Sequence, residues 1–265
     1  MIKNKLISIL ISTGTISDFI NTILNAAINH QSYYVCVANV HMCIETYQNP
    51  SFATIVNNAN LTTPDGLPLV KALKWLYGID QERVTGPDLM PKLLKAAEKE
   101  HLKVYFYGSV PEVLDKLDEY CMNNFPKLSL AGKYSPPFRP PTAEEIQADI
   151  ERINNSGANI VFVALGCPKQ ERWMASMKGK INAVMIGVGG AFPMLVGIEK
   201  RAPLWMQKYM LEWFFRLIQD PKRLFRRYFV TNSIFIYLVV KEKIKLTLSR
   251  GYRQKEFAKR HIEIK

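Results

Sequence analysis

Asp65 stands between Pro64 and Gly66, directly after the strand-like segment 61–63. A carboxylate held at the end of a strand can take a proton from a substrate hydroxyl as a general base. Pro-Asp-Gly is also ordinary turn chemistry, so position alone leaves both readings open. A denser polar cluster, Gly166-Cys-Pro-Lys-Gln-Glu-Arg172, follows another strand-like run. A solvated helix start accounts for Lys169 and Glu171, but it accounts less well for Gln170 and Arg172 if that helix packs on a sheet. Two glycine turns are weaker candidates. Tyr107-Gly108-Ser109 could offer backbone N–H groups to a phosphate at a helix start. Gly187-Val-Gly-Gly190 has part of the glycine pattern of a dinucleotide site. It lacks the third spaced glycine and a following strand with a ribose-binding acid. No Asp-x-Asp pair occurs, so a bound diphosphate would be met by arginine and lysine rather than by a carboxylate-held cation.

These residues need elements to position them. Strand-like runs at 6–12, 33–40, 104–107, 128–134, 159–165 and 183–188 alternate with helical patterns near 15–29, 43–58, 67–77, 86–100, 142–155 and 169–177. Pro111 and the Thr142-Ala-Glu-Glu145 capping box mark further helix starts. Such alternation predicts an α/β fold, Rossmann-like, with a mostly parallel sheet and helices on both faces. Ligands of such sheets bind beyond the carboxyl ends of the strands, where the turns after Ala38, Pro64, Gly108, Leu165 and Gly187 would lie.

The pattern changes after about Gly197. Residues 203–218 read as a helix dense in Trp, Tyr, Phe and Leu, and Asp220-Pro221 opens another that carries Lys222, Arg223, Arg226 and Arg227. The expected division is therefore a catalytic core over 1–197 and a helical appendage over 198–265.

Composition agrees. With 48% apolar and 22% charged residues, the 265-residue chain is globular and excludes disordered and collagen-like classes. Residues 1–199 carry 18 basic and 18 acidic side chains, and residues 200–265 carry 17 and 5. The whole excess of +12 therefore sits in the appendage and calls for an anionic partner. Four cysteines without a CxxC read as reduced thiols, and four scattered histidines form no zinc pattern. No apolar run approaches the roughly 18 residues of a membrane span, and no leader peptide is expected at the N-terminus. A basic, aromatic-rich helix suits the surface of an anionic membrane. A nucleotide- or nucleic-acid-binding protein with a basic tail is the rival from another class, although no nucleic-acid motif is present.

Several ordered motifs between Val35 and Tyr228 resemble the WecG/TagA/CpsF glycosyltransferases, glycosyltransferase family 26. They are Ala38-Asn39, Thr63-Pro-Asp-Gly66, Arg83-Val-Thr-Gly-Pro-Asp-Leu89, Ala164-Leu-Gly-Cys-Pro-Lys-Gln-Glu171, Gly187-Val-Gly-Gly-Ala-Phe192, Lys200-Arg-Ala-Pro203 and Leu211-Glu-Trp213. The resemblance implies a bacterial enzyme at the cytoplasmic face of the membrane. It would move a sugar from a UDP-sugar donor to a polyprenyl-diphosphate-linked saccharide, with inversion and without a metal or other cofactor. It implies Asp65 as the base and Asn39, Arg83 and Gln170 as pocket residues. Arg216, Arg223 and Arg226 would be the catalytic cations that neutralise diphosphate. Gly108, Glu171 and Gly189 complete the expected substrate-binding set. N-acetylmannosamine is the default sugar by family precedent. Val37 stands where the teichoic-acid branch has threonine, and the Tyr134–Arg139 loop is similar to that of exopolysaccharide members, so UDP-glucose or a UDP-uronic acid is the alternative donor. Nucleic acid is not an expected partner. Exposed apolar groups on the appendage would meet the membrane or a second subunit.

Overall fold

The computed structural model describes residues 1–262, with side chains through Leu248 apart from Arg223. The N-terminal apolar run, expected as one strand, is a hairpin: β1 (Ile2–Leu6) pairs antiparallel with β2 (Ile9–Thr13). Ile7 turns the chain at φ 59, which splits the run in two. Helix α1 (Ile16–Ile28) begins at a Thr15–Asp18 capping box. After β3 (Tyr33–Ala38) the helical stretch divides into α2 (Val40–Gln48) and α3 (Pro50–Asn57). Asn49 causes the break, because its side chain accepts from the Phe52 amide and caps the second helix ahead of Pro50.

The chain continues through β4 (Leu61–Pro64), α4 (Leu67–Tyr77) and α5 (Gly86–Lys99), then β5 (Lys103–Gly108) and α6 (Pro111–Asn124). Next come β6 (Ser129–Tyr134), α7 (Ala143–Ser156), β7 (Ile160–Ala164), α8 (Lys169–Met177), β8 (Val184–Gly187) and the short α9 (Ala191–Leu195). The C-terminal part holds α10 (Leu204–Lys208), α11 (Glu212–Gln219) and α12 (Pro221–Ile262). The single helix expected over 203–218 is broken at Met210, which takes φ 64.

Six strands form one parallel sheet in the order β4-β3-β8-β7-β5-β6. Side-chain alternation sorts it into two cores. Tyr34, Cys36, Tyr105, Tyr107, Val161 and Val163 face α2, α3, α4, α8 and α12. Val35, Val37, Val104, Phe106, Ile160 and Phe162 face α1, α5, α6 and α9. Helices therefore cover both faces of the sheet, as the sequence pattern predicts. Helix α12 packs on α2 and α4, so the basic C-terminal part is docked against the sheet layer. At the sheet edge β2 lies beside β4, and the Ser12 hydroxyl accepts from the Thr62 amide at 3.0 Å.

Candidate active site

The turns singled out in the sequence line the carboxyl ends of the parallel strands. Asp65 follows β4, and its amide donates to the Ala38 carbonyl of β3 at 2.8 Å. This bond sets the Asp65 turn against Asn39, which follows β3. Asn39 caps α2 by accepting from the Met42 amide at 3.1 Å. Arg83 approaches from the segment before α5. Its Nε donates to the Asp65 carbonyl at 2.6 Å, and its terminal nitrogen lies 3.8 Å from the Asp65 carboxylate. The same nitrogen donates to Glu212 of α11 at 2.5 Å. Asp65 is 24% exposed, so the carboxylate is largely enclosed yet open on one side.

Burial pushes the Asp65 carboxyl up to about 6. The Arg83 charge opposes the rise, Glu212 adds to it, and Arg216 opposes it. A carboxyl tuned to that range is mostly ionised at neutral pH and is a far stronger base than an ordinary aspartate. Next to this group, Arg201 makes a two-pronged bond to Asp88 at 2.6 and 2.8 Å. Burial would raise Asp88, but the bonds from Arg201 and Thr85 outweigh it and hold the carboxyl below its usual range.

A second group forms where β7 and β8 end. Gln170 is buried; its Oε1 accepts from the Gly166 amide at 3.1 Å and its Nε2 donates to Glu171 at 2.8 Å. A Cβ on Gly187 would lie 2.9 Å from the Gln170 side chain, so the glycines let this amide pack onto the turn that contains Gly189. Glu171 is 0% exposed and stands behind Gln170 with no surface of its own. One of its carboxylate oxygens has no hydrogen-bond partner, and burial pushes the group up to about 7. Gly108 has a backbone reason for its identity: at φ +101, a Cβ there would meet the Ala164 carbonyl oxygen at 2.5 Å. Beside it, behind the 135–141 loop, Tyr107, Tyr134, Arg139 and Arg172 line a cavity of about 420 Å³. Tyr107 stacks on Trp173 there at 4.2 Å, and the indole N–H of Trp173 is buried and unpartnered.

Arg216 of α11 connects the two groups. It reaches over Gly190 to the Met194 sulfur at 3.6 Å and lies within electrostatic reach of Asp65. Arg226 is exposed on α12. The side chain of Arg223 lies outside the described residues. Arg227, which the sequence did not single out for this role, turns inward instead. It stacks beside Tyr228 at 5.3 Å, and its charge, after burial, holds His41 below its ordinary range. The sequence also left Glu212, Arg201 and Asp88 without roles, although each sits inside a quoted motif. Their pairings span 113 to 129 residues and had no local signal.

The result is an α/β enzyme with an enclosed carboxylate and fixed arginines at the carboxyl ends of a parallel sheet. Comparison with known proteins then gives the lineage. The model of the glycosyl transferase WecG/TagA/CpsF family matches residues 4–249. Over 216 residues the chain is 30% identical to a Bacillus spizizenii protein named N-acetylglucosaminyldiphosphoundecaprenol N-acetyl-beta-D-mannosaminyltransferase. That match covers 78% of this chain and 82% of its relative. The chain belongs to the WecG/TagA/CpsF family and is a glycosyltransferase. Among the described residues, no helix is long and apolar enough to cross a membrane.

Proposed function

We propose that the protein transfers a sugar, by default N-acetylmannosamine, from a UDP-sugar to a polyprenyl-diphosphate-linked saccharide. The observation that carries this reading is the enclosed Asp65 carboxylate, tuned to about 6 and flanked by Arg83 and Arg216. The relative's name supplies the acceptor class and the default sugar. In the proposed reaction Asp65 accepts the proton of the acceptor hydroxyl as that oxygen bonds to the anomeric carbon. The bond from that carbon to the donor phosphate breaks, UDP leaves, and a single displacement inverts the configuration. Arg216, with Arg223 and Arg226, stabilises the charge that develops on the diphosphate, a contribution that grows in a closed site. These cations stand in for a metal, so we propose a metal-independent enzyme.

The glycine turns at Gly108 and Gly189 and the cavity beside Tyr107 and Trp173 offer the donor's nucleotide a backbone floor and an aromatic wall. The core over 1–197 supplies the base, and the appendage over 198–265 supplies the cations. The appendage also rests on the anionic cytoplasmic face of the bacterial plasma membrane. The product would enter cell-surface polysaccharide synthesis, whether teichoic acid, capsule or exopolysaccharide. UDP-glucose or a UDP-uronic acid is the second reading for the donor, motivated by the Tyr134–Arg139 loop, whose residues line the cavity beside Tyr107. Val37 is buried in the apolar core and carries no weight in that choice.

The test is UDP release from a panel of UDP-sugars, with a short polyprenyl-diphosphate-GlcNAc acceptor and EDTA present. Acceptor-dependent release from one donor, absent in Asp65→Asn, is the expected result. Release that needs added Mg²⁺ would overturn metal independence. Silence with every donor and acceptor, with and without Mg²⁺, would overturn the reaction.

A further inference from the structure

A second cavity, larger than the one beside Tyr107, is separate from the polar site but begins at its margin. It is a groove of about 760 Å³ between α4, α11 and α12, within the range of ligand pockets. Its walls are almost wholly hydrocarbon, with Ala72 and Trp75 from α4, Trp213 from α11, and Tyr228, Phe229 and Val240 from α12. Lys71, Asn232 and Ser233 are its polar interruptions. Trp75, Phe229 and Val240 are more than 40% exposed, so the groove is open along its side.

Its position identifies one end with the site. Val40 lines it and directly follows Asn39. Trp213 lines it and directly follows Glu212, which bonds Arg83. Pro68, three residues beyond Asp65, lines it from the first turn of α4. From there the groove follows α12 from Phe225 to Val240, about 20 Å at 1.5 Å per residue. Cations stand at the site end, with Arg216 near Asp65, Arg227 near His41 and Lys71 in the wall itself, while Lys243 lies over the Trp75 ring and donates to the Trp75 carbonyl at 2.6 Å.

A basic mouth beside the reacting centre and a long apolar trough leading away complement one kind of molecule: an anionic diphosphate followed by a hydrocarbon chain. A free glycan or nucleotide would lose hydrogen bonds against such walls without replacing them. A second copy of the chain would bring its own excess of 12 positive charges, concentrated in the same helices, against this face.

We infer that this groove holds the first prenyl units of the lipid-linked acceptor, with the diphosphate at the Asp65 end and the rest of the chain leaving through the open side. The inference rests on the acceptor class proposed above and adds where on the protein its lipid lies.

The test uses the full chain and two GlcNAc-diphosphate acceptors, one on a farnesyl chain with a diazirine in its last prenyl unit and one on an ethyl group. Photolysis should label peptides from α4 and α12. Ser233→Trp, at an exposed position of the groove wall, should lower the farnesyl-over-ethyl ratio of kcat/KM by about tenfold or more. Phe229→Glu should do the same, and unchanged thermal melting of both variants would show that they fold. An unchanged ratio in both folded variants, or labelling elsewhere, overturns the inference. Equal labelling of the groove by a diazirine phosphatidylglycerol in vesicles, not competed by the farnesyl acceptor, would assign it to bulk lipid instead. A wild-type dimer dissociated by Ser233→Trp would assign it to a second copy. If no acceptor takes sugar while the farnesyl probe still labels these walls, the reaction reading fails and the groove assignment stands.

Discussion

The Arg83 guanidinium and the Glu212 carboxylate meet at 2.5 Å across the boundary between the sheet layer and the C-terminal helices. The same guanidinium grips the Asp65 main chain at 2.6 Å. The proposed base is thus held in place by a side chain that the C-terminal helices in turn hold. Its acidity is also set partly from there, because the Glu212 charge raises the Asp65 carboxyl.

Asp65→Asn should lower turnover by roughly 10²–10⁴-fold while UDP binding persists. In the wild type, kcat/KM should fall as pH drops through about 6, because Asp65 must be ionised to accept a proton. Steady-state rates and UDP titrations check both parts. Near-normal turnover in the variant would remove Asp65 as the base.

Glu212→Gln should move that acid limb to lower pH. Removing the negative charge favours the ionised form of Asp65, and an Arg83 freed from Glu212 favours it further. A pH–rate profile decides the matter; a limb that stays in place or rises would show that Glu212 does not tune the base.

Arg83→Lys should be almost as damaging as Arg83→Ala, each costing roughly 10²-fold through misplacement of the Asp65 turn. A lysine has one nitrogen and cannot serve the Asp65 carbonyl and Glu212 together in this geometry. Recovery of most activity by the lysine variant would reduce Arg83 to a simple positive charge.

Removing the chain from Pro203 onward should abolish transfer and binding to anionic vesicles. The parallel sheet, whose strands all end by Gly187, should keep its far-ultraviolet dichroism. Normal turnover by the shortened protein would place catalysis in the core alone.

Glu171→Gln should flatten the dependence of stability on pH. The wild-type carboxyl binds its proton more tightly folded, at about 7, than unfolded, near the ordinary glutamate value of 4.5. Stability therefore declines as pH rises between those values, by an amount on the order of 3 kcal/mol. Glutamine has no proton to lose, so its melting temperature should change less over that window. Parallel curves for the two proteins would contradict the burial argument.

The sequence exposed the sheet well because each buried strand is a short apolar run bounded by turn residues, and the period-two split of β3, β5 and β7 between two cores follows from it. Helices α4 and α8 fall within their expected spans for the same reason. The misses share a local cause. Ile7, Asn49 and Met210 each bend the chain at one residue inside a stretch whose hydrophobicity continues, and periodicity cannot register a single-residue break. In the candidate site, the resemblance of the ordered motifs to a known family led to Asp65, Arg83 and Gln170, which position alone left open. The roles of Glu212, Arg201 and Arg227 depend on tertiary pairing, which no spacing encodes. The glycines at 108 and 187 show the reverse: residues suited to phosphate contact also have close-packing reasons for being there.

The hydrogen bond from the Thr62 amide to the Ser12 hydroxyl has a consequence for solubility. β4 is the last strand of the sheet, and an uncovered edge strand is a template on which another chain can add. The N-terminal hairpin lies along that edge and occupies one of its donors. It thereby shields the strand that leads into Asp65 from aggregation by strand addition, so a protein begun after Thr13 would lose its edge cover.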